Sequence, residues 1–360
     1  MNDTAKDPSA ERIVALPDPL TGLPLAASGA RARVATGSGG AAISLNLGYP
    51  LGDDGVAALR EAVAGLLAPL PLASFEVVQR ISAHATQPNV PLSPRVRNII
   101  AVGSGKGGVG KSTTAVNLAL ALAADGARVG VLDADVYGPS IPTMLGLSGR
   151  PDSPDGKSIV PMRAHGIEAM SIGLLVEQDT PMIWRGPMAT QALTQLLEHT
   201  LWGGEDGLDY LVVDLPPGTG DIQLTLAQKI PVAGALVVTT PQDVATLDAR
   251  KALRMFEKVQ VPVLGLVENM AVHVCSQCGH AEHIFGQGGC ERMATQYGVP
   301  LLGSLPLELA IREQGDAGVP VVVSAPGSAA AGAYRDTARA VAVRLAMRPK
   351  APRPIAASML

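Results

Sequence analysis

Short apolar segments alternate with helical stretches along the chain from residue 97 onwards. Continuous apolar runs are typical of strands that are buried on both faces, and strands that alternate with helices favour a mainly parallel sheet. We therefore predict an α/β fold with a mainly parallel sheet and helices on both faces. Ligands of such a sheet bind at the carboxyl ends of its strands. The predicted strands contain the runs Ile99–Val102, Val129–Leu132, Leu211–Val213, Ala235–Val238, Leu264–Val267 and Leu301–Gly303.

A different pattern precedes this region and predicts a small α+β domain over residues 1–84. Apolar and polar residues alternate over Ile43–Leu47, which is typical of a half-buried strand. Apolar residues then recur at helical spacing between Val56 and Leu67, after a possible helix cap at Asp53–Asp54. A second strand is expected at Phe75–Val78.

The remaining segments are expected to be irregular. Residues 1 to about 30 are rich in Pro, Gly and Ala, and we expect them to be loose. Residues 85–96 include three prolines within nine residues, which predicts an extended linker. The α/β domain then covers residues 97–346. The proline-rich residues 347–360 cannot continue a helix, and we expect a disordered tail.

Composition excludes several functional classes. Of 360 residues, 47% are apolar but only 3% aromatic, so the core must be aliphatic. The net charge of −4 gives no reason to expect nucleic acid as a partner. No apolar run reaches the length of a membrane span, and the N-terminus lacks the apolar segment of a secretory signal. Three cysteines do not make a disulfide framework, so the reducing cytoplasm is the expected location.

The clearest motif directly follows the first predicted strand of the α/β domain. Gly105–Ser112 satisfies G-x-x-x-x-G-K-[ST], the phosphate-binding loop of nucleotide hydrolases. Lys111 is expected to reach the β- and γ-phosphates, and the Ser112 hydroxyl to bind Mg²⁺. The second lysine, Lys106, is not required by an ordinary phosphate loop. The predicted nucleotide-binding residues of the loop are Gly105, Lys106, Gly107, Gly108, Val109, Gly110, Lys111, Ser112 and Thr113.

Carboxylates follow two other predicted strands and should lie at the same edge. Asp214 ends one strand and suits the Walker B role, in which it holds Mg²⁺ through water. The stiff Pro-Pro-Gly turn that follows could bring the Gly218 N–H to the γ-phosphate. Asp133 and Asp135 end the second strand, where one carboxylate could orient the attacking water while the other supports Mg²⁺. These motifs predict a P-loop NTPase.

The combination resembles the deviant-Walker ATPases, a group that includes MinD, ParA, the nitrogenase iron protein and the Mrp/ApbC proteins. Their loop, K-G-G-x-G-K-[ST], is matched from Lys106 to Ser112. The resemblance implies that Lys106 reaches across a dimer interface to the partner's nucleotide and that Asp135 positions the water. It also implies that Asn269 contacts adenine, which favours ATP over GTP. Hydrolysis would be slow until two subunits meet.

A thiol pair lies downstream of the nucleotide motifs. Cys275 and Cys278 can bind one metal ion or two atoms of a cluster, but a complete four-thiolate site needs four cysteines. The only other cysteine, Cys290, could be an auxiliary ligand but is more typical of a buried packing residue. A dimer that bridges one [4Fe–4S] cluster would satisfy the count by symmetry.

Three alternatives for this pair stay open at this stage. An intrachain zinc site could add His280 and His283, although its spacing is shorter than that of zinc fingers. A thioredoxin-type redox pair would normally open a helix, which the following Gly279 does not favour. The pair could also be inert.

The segments around the cysteines are similar to those of Mrp/ApbC-type iron–sulfur carrier proteins. The resemblance implies an ATPase that binds ATP and Mg²⁺, forms a homodimer, and moves a cluster from an assembly scaffold to apo-proteins in the cytoplasm, without nucleic acid or membrane. The matching segments are Asp133–Pro142, Trp184–Met188, Asp214–Asp221, Glu268–Met270 and His283–Gly286.

The N-terminal segment resembles a diverged copy of the small iron–sulfur-assembly domain that often precedes bacterial Mrp ATPases. That domain usually has Cys-Pro where this chain has Tyr49-Pro50. The substitution removes its thiol, so the resemblance favours a structural or partner-docking role for residues 1–84.

Two other functions are compatible with the nucleotide motifs. A MinD- or ParA-like positioning ATPase would need a membrane-binding amphipathic helix or a basic DNA-binding face. Thr337–Leu345 is weakly amphipathic, but it is more typical of a helix that covers the sheet. A zinc-stabilised scaffold with weak ATPase activity is the other alternative.

Overall fold

The computed structural model describes residues 8–19, 21–175 and 186–351. Its first unit is a three-stranded sheet with two helices, in which the central strand pairs antiparallel to one neighbour and parallel to the other. The predicted strands and helix are confirmed, with Ile43, Leu45 and Leu47 buried as the alternation requires. The elements are α1 (Pro8–Val14), β1 (Arg31–Gly37), β2 (Gly40–Leu47), α2 (Asp53–Leu67) and β3 (Leu72–Gln79).

The expectation that residues 1 to about 30 are loose is wrong for the part that the structure describes. Helix α1 and a 3₁₀ turn at Leu25–Ser28 lie in this segment. Ile13 and Leu25 are fully buried in the core that β2 and α2 also enter. Ile13 follows the charged Glu11 and Arg12, and Leu25 lies between Pro24 and Ala26, so their burial comes from packing against elements that are distant along the chain. Residues 1–7 and residue 20 lie outside the described residues.

Tyr49, where the resemblance implies a cysteine, is also buried in this unit. Its hydroxyl donates a hydrogen bond to Oδ2 of Asp18, which is itself buried. Burial, followed by the charge of Asp18, raises the pKa of Tyr49. The side chain therefore packs inside the unit and presents no reactive group at the surface.

The second unit contains an eight-stranded sheet in the order β13-β10-β9-β4-β8-β5-β7-β6. All neighbouring strands are parallel except the antiparallel pair β6 and β7 at one edge. The predicted mainly parallel α/β sheet is thus confirmed, but β7 was not predicted because its run includes Glu168 and Ser171. The strands are β4 (Val96–Gly103), β5 (Val129–Asp133), β6 (Met162–Ala164), β7 (Ile167–Ser171), β8 (Leu208–Asp214), β9 (Val232–Thr239) and β10 (Val263–Glu268), the short hairpin β11 (His273–Val274) and β12 (Ala281–Glu282), and β13 (Leu301–Ser304).

Helices cover both faces of this sheet and enclose two apolar cores. One core includes α3 and α11 together with the N-terminal unit, and the other includes α5 to α8. The helices are α3 (Lys111–Ala124), α4 (Ile141–Met144), α5 (Gly186–His199), α6 (Asp221–Lys229), α7 (Asp243–Lys258), α8 (Gly289–Tyr297), α9 (Leu309–Asp316), α10 (Val321–Ser324) and α11 (Ala329–Ala346).

Arg339 connects the two units through a group of charges that we call the Arg339 bridge. Its guanidinium, 6% exposed, donates two hydrogen bonds to Asp125, at the end of α3, and two to Asp54, in α2. These four bonds satisfy the fork geometry of the guanidinium, so burial of its charge is compensated. Helix α11 therefore lies between the N-terminal unit and the phosphate-loop helix.

The segment that connects the units, for which an extended linker over residues 85–96 was predicted, contains a turn at 88–89 and leads into β4 at Val96, and hydrogen bonds fix it in place. The Gln87 amide donates to Ala227 O and Ile230 O, and its oxygen accepts from Val232 N. The chain end differs from the expected loose tail as well, because 349–351 form backbone hydrogen bonds with 83–85. Residues 352–360 lie outside the described residues, and the domain boundaries stay predictions.

Candidate functional site

The phosphate loop lies between the carboxyl end of β4 and the first residue of α3, where a nucleotide hydrolase requires it. Gly110 caps α3 with a φ of +78°, a backbone conformation that favours glycine. Gly105 packs directly on the backbone of α7, because a Cβ atom there would lie 2.1 Å from the carbonyl of Asp248. The loop therefore leads directly into the N-terminus of α3, whose first residues line the cavity and whose free backbone N–H groups suit an anion.

Lys111 and Asp214 form a buried ion pair beneath this loop. The lysine Nζ lies 2.6 Å from Asp214 Oδ1, and the two residues are 6% and 0% exposed. Burial raises the pKa of Asp214, and the charge of Lys111 opposes that shift. The second oxygen, Asp214 Oδ2, is buried without a hydrogen-bond partner. Ser112 Oγ lies 3.5 Å from the lysine Nζ.

This arrangement fits the predicted Mg²⁺ site. A buried carboxylate oxygen without a partner needs a cation or a donor, because leaving it unsatisfied costs free energy. The hydroxyl of Ser112 and the carboxylate of Asp214 are oxygen ligands of the kind that Mg²⁺ prefers. These two residues would hold the ion, with phosphate oxygens and water as its other ligands.

Asp133 stabilises the loop that follows β5. It is fully buried; its Oδ1 accepts from Asp135 N at 3.1 Å, and its Oδ2 accepts from Ile141 N at 3.1 Å and from Ser171 Oγ at 3.2 Å. Burial, followed by the charge of Asp214, raises the pKa of Asp133 to about 7. Asp133 thus connects both ends of the loop 134–140, while Asp135 is partly exposed and faces the cavity.

The cavity over the phosphate loop brings most of the predicted residues together. Lys106, Lys111, Ser112 and Thr113 line it together with Asp135. Lys106 is partly exposed, and its backbone oxygen accepts a hydrogen bond from Ser104 Oγ. The cavity therefore combines cationic side chains, backbone N–H groups and one accessible carboxylate, which suits a polyphosphate.

The Pro-Pro-Gly turn after Asp214 is held against the phosphate loop. The Gly218 N–H, expected to face the γ-phosphate, donates to Ser104 O at 3.0 Å. The amide of Gln223 donates to the carbonyls of Pro216 and Pro217. Gln223 was not predicted from the sequence. Its position in the first turn of α6 was the signal that could have indicated this contact.

Asn269 lies on the other side of the loop. Its side-chain Nδ2 donates to Val109 O at 2.9 Å, and the residue is 5% exposed. It also lines a second cavity next to the phosphate loop, so contact with a base stays a prediction. One part of the remaining wall of that cavity, Pro306–Glu308, was not predicted, although it follows the carboxyl end of β13, where ligands are expected.

The two cysteines lie at the tip of the hairpin β11–β12, which we call the cysteine hairpin (residues 273–282). Cys275 N donates to His280 O, and Gly279 N donates to Cys275 O, both at 2.9 Å. The backbone N–H groups of Cys278 and Gln277 lower the pKa of the Cys275 thiol. Cys278 is exposed and Cys275 partly exposed. The hairpin therefore presents two accessible thiols, and the lowered pKa of Cys275 favours its thiolate form.

Cys290 does not join this pair. It is fully buried in α8, where burial and then the charge of Glu268 raise the pKa of its thiol. A raised pKa disfavours the thiolate that a metal requires, and the residue instead packs in the core.

The zinc alternative is not assembled within one chain. His283 Nδ1 donates to Ala271 O at 2.7 Å, so this nitrogen is not free to bind a metal. Over 8–19, 21–175 and 186–351, no group of three or more His, Cys, Asp or Glu side chains is arranged to hold a metal ion. The hairpin also lacks the helix that a thioredoxin-type pair normally opens.

Two further predictions concern segments outside the cavity. Trp184 and Arg185 lie outside the described residues, and α5 begins at Gly186. In the part of the chain with assigned structure, none of the helices has the length and apolar character needed to cross a membrane.

A family model described as "ParA: NUBPL iron-transfer P-loop NTPase" matches residues 95–342. The chain is 59% identical over 268 residues to an iron–sulfur cluster carrier protein of Pseudomonas fragi, covering 74% of this chain and 92% of the relative. It is 62% identical over 258 residues to the protein of the same name from Escherichia coli K12, covering 71% and 69%. An iron–sulfur cluster transfer protein NUBPL of Mus musculus is 53% identical over 257 residues, covering 71% and 80%.

Solved structures agree with the fold. A nucleotide-binding protein from Archaeoglobus fulgidus in complex with ADP has a TM-score of 0.54 at 37% identity, covering 62% of this chain and 87% of that one. The cell division ATPase MinD of Pyrococcus furiosus has a TM-score of 0.51 at 23% identity, covering 68% and 98%. The second comparison supports the fold alone.

Proposed function

The chain belongs to the NUBPL iron-transfer P-loop NTPase family, and we propose that it is an ATPase that carries an iron–sulfur cluster and transfers it to apo-proteins. The observation that carries the proposal is the cysteine hairpin, which presents two surface thiols in the same chain as a complete phosphate loop. Relatives named iron–sulfur cluster carrier or transfer proteins support the same cargo.

ATP is the proposed nucleotide. Lys111 and the N–H groups of the phosphate loop would bind its phosphates, and the cavity beside Asn269 would hold its base and sugar. Mg²⁺, when held by Ser112 and Asp214, would neutralise charge on the phosphates. The ADP complex of the Archaeoglobus relative supports a nucleotide in this fold.

Hydrolysis would depend on a second copy of the chain. Lys106 lines the cavity and is partly exposed, so it could reach a nucleotide in the partner subunit. A cation supplied in trans stabilises charge that develops during phosphoryl transfer. Asp135, the partly exposed carboxylate of the cavity, would orient the attacking water. The rate would then stay low until the homodimer forms.

The cluster itself would bridge the two subunits. One hairpin supplies Cys275 and Cys278, whereas Cys290 is buried in α8. Two chains related by a twofold axis would supply four thiolates, which is the ligand set of a [4Fe–4S] cluster. Partners of the homodimer would be an assembly scaffold and apo-proteins in the cytoplasm.

Anaerobic reconstitution with iron and sulfide tests this proposal. The full-length protein should gain a broad visible absorption band and about four iron and four sulfide per two chains, the content of one [4Fe–4S] cluster. The loaded protein should elute as a dimer. One zinc per chain with no bound iron would instead support the zinc-stabilised scaffold.

The positioning-ATPase alternative receives no support from the C-terminal helix. Helix α11 is mostly buried, and Arg339 forms the Arg339 bridge, so this helix has no free apolar face for a membrane. The helix covers the sheet and the N-terminal unit, as its sequence predicted. Pelleting with anionic vesicles in the presence of ATP would revive the alternative if most of the protein sedimented.

A further inference from the structure

A single side chain connects the phosphate loop to the strand that leads to the cysteine hairpin. Asn269 follows β10 directly, and its backbone N–H donates to Thr239 O at 2.8 Å. Its side-chain amide donates to Val109 O, within the phosphate loop. The contact is tight, since a Cβ atom on Gly110 would lie 2.1 Å from Asn269 Nδ2. The loop conformation and the position of Asn269 therefore depend on each other.

The residues between Asn269 and the cysteines leave little room for independent movement. Cys275 is only the sixth residue after Asn269. Ala271 N donates to Leu305 O, Ala271 O accepts from His283 Nδ1, and Val272 O accepts from Leu307 N. The next residue, His273, already pairs in β11. A displacement of Asn269 would thus reach the base of the hairpin through a continuous set of hydrogen bonds.

The second cavity, which is proposed to hold the base and sugar of the nucleotide, has another wall that contacts the base of the same hairpin. Pro306 and Leu307 line the cavity together with Asn269 and Gly110. Leu305 N donates to Glu268 O, immediately before Asn269, and Leu307 O accepts from His273 Nδ1 at 2.9 Å. A nucleotide in this cavity would therefore contact both segments that hold the hairpin.

From these contacts we infer that Asn269 is a positioning residue that couples occupancy of the nucleotide site to the pose of the cysteine hairpin. The inference rests on the proposed function, because it supposes that the hairpin holds a cluster. Its physical basis is the amide donated to Val109 O, which makes a rearrangement of the phosphate loop costly unless residues 269–273 move as well. Coupling of this kind is reciprocal, so a cluster on the hairpin must change nucleotide affinity by the same factor.

Because the coupling is reciprocal, it can be measured as a change in nucleotide affinity when the cluster is bound. We expect the Kd of Mg-ADP, measured anaerobically by calorimetry on the full-length protein, to differ at least about fivefold between cluster-loaded and cluster-free wild type. In Asn269→Ala the ratio should fall below about twofold, while iron per dimer stays at the wild-type value. Asn269→Asp keeps the shape of the side chain but cannot donate to Val109 O. Its ratio of ADP affinities between the two cluster states should therefore also fall below about twofold.

A matched control separates coupling from loss of a buried amide. Asn98 is also buried, and its amide donates to Ser82 O and Asp209 O at the other end of the sheet. Asn98→Ala should keep the wild-type ratio even if it lowers stability. If Asn269 only contacts the base, Asn269→Ala would weaken ADP equally in both cluster states and keep the ratio, which overturns the inference.

Two results with the wild-type protein would distinguish failure of this inference from failure of the proposed function. A cluster-loaded wild type whose ADP affinity equals that of the cluster-free protein would overturn the inference and leave the proposed carrier function intact. A wild type that holds no cluster after reconstitution would overturn the proposed function and this inference with it.

Discussion

The ammonium group of Lys111 lies 2.6 Å from Oδ1 of Asp214, and both side chains are almost wholly removed from water. One residue begins α3 and the other ends β8, so the pair joins two neighbouring elements at the carboxyl edge of the sheet. A buried pair of this kind is stable only while both partners are present. A bound phosphate would offer Lys111 a second anion at the same place.

Lys111 and Lys106 should differ in what they contribute. Lys111→Ala removes the cation beneath the phosphate loop and should weaken Mg-ATP binding about 10- to 100-fold, the value of one or two charge-assisted hydrogen bonds. Lys106→Ala should leave binding within about threefold but lower turnover about 10²-fold, because it acts on developing charge. Calorimetry and a phosphate-release assay measure the two effects. Equal losses of binding in both variants would argue against a lysine that acts in trans.

The cysteine hairpin should be necessary for the cluster and unnecessary for the nucleotide. Cys275→Ala with Cys278→Ala should abolish iron binding after reconstitution and leave the Kd of Mg-ADP of the cluster-free protein within about twofold, because the hairpin does not line the phosphate cavity. Cys290→Ala is the control, since this buried thiol should leave the iron content unchanged. A full cluster in the double variant would contradict a bridging site at the hairpin.

Asp133 should make stability depend on pH. Its pKa is about 7 in the folded protein because of burial and the charge of Asp214, compared with an ordinary value near 3.8. The folded state therefore keeps the proton that the unfolded state loses, and stability should fall as pH rises from about 4 to about 7. The change attributable to this group is at most about 4 kcal/mol.

Urea unfolding at several pH values, without nucleotide or Mg²⁺, tests this prediction. Asp133→Asn should reduce the slope of stability against pH between pH 4 and 7, although part remains because the pKa of Asp214 is also raised. Asp155→Asn is the control. Hydrogen-bond donors around Asp155 lower its pKa to about 2, so its effect on stability falls below the range of pH 4 to 7. The same slope in wild type and Asp133→Asn would contradict the assignment.

The Arg339 bridge should determine how firmly the N-terminal unit is held. Arg339→Ala leaves Asp125 buried without its cation and should lower the free energy of unfolding by about 3 kcal/mol. Arg344→Ala, on the same helix and partly exposed, should cost less than about 1 kcal/mol. Urea unfolding gives the energies, and limited proteolysis should cut Arg339→Ala faster between the units. Unchanged protection would show that the apolar core alone holds them together.

Most of the nucleotide site could be predicted from sequence because its parts are local. The phosphate loop needs a fixed spacing of glycines and one lysine between a strand and a helix, and Gly105–Ser112 satisfies this within eight residues. Asp135 and Asp214 follow apolar runs, and parallel strands bring their carboxyl ends to one edge. The cysteine pair likewise depends on a short spacing.

Other contacts join residues that are distant along the chain, and no local pattern encodes them. Asn269 and Val109 are 160 positions apart, and Arg339 and Asp54 are 285 apart. The resemblance implies that Asn269 contacts the base, which stays a prediction, and the fold adds that its side-chain amide donates to Val109 O in the phosphate loop. The burial of Ile13 and Leu25 was likewise missed, because the Pro, Gly and Ala content of their segment favoured a loose structure.

The sequence by itself determined the chemistry of this protein: a phosphate loop with a second lysine, carboxylates at strand ends, and a closely spaced pair of cysteines. These features rest on short-range geometry, which the backbone imposes wherever the residues occur. Only the tertiary structure decided how the parts are connected, through Asn269 to the cysteine hairpin and through Arg339 to the N-terminal unit. Such connections depend on which buried polar groups find partners, and that is settled only when distant elements pack together.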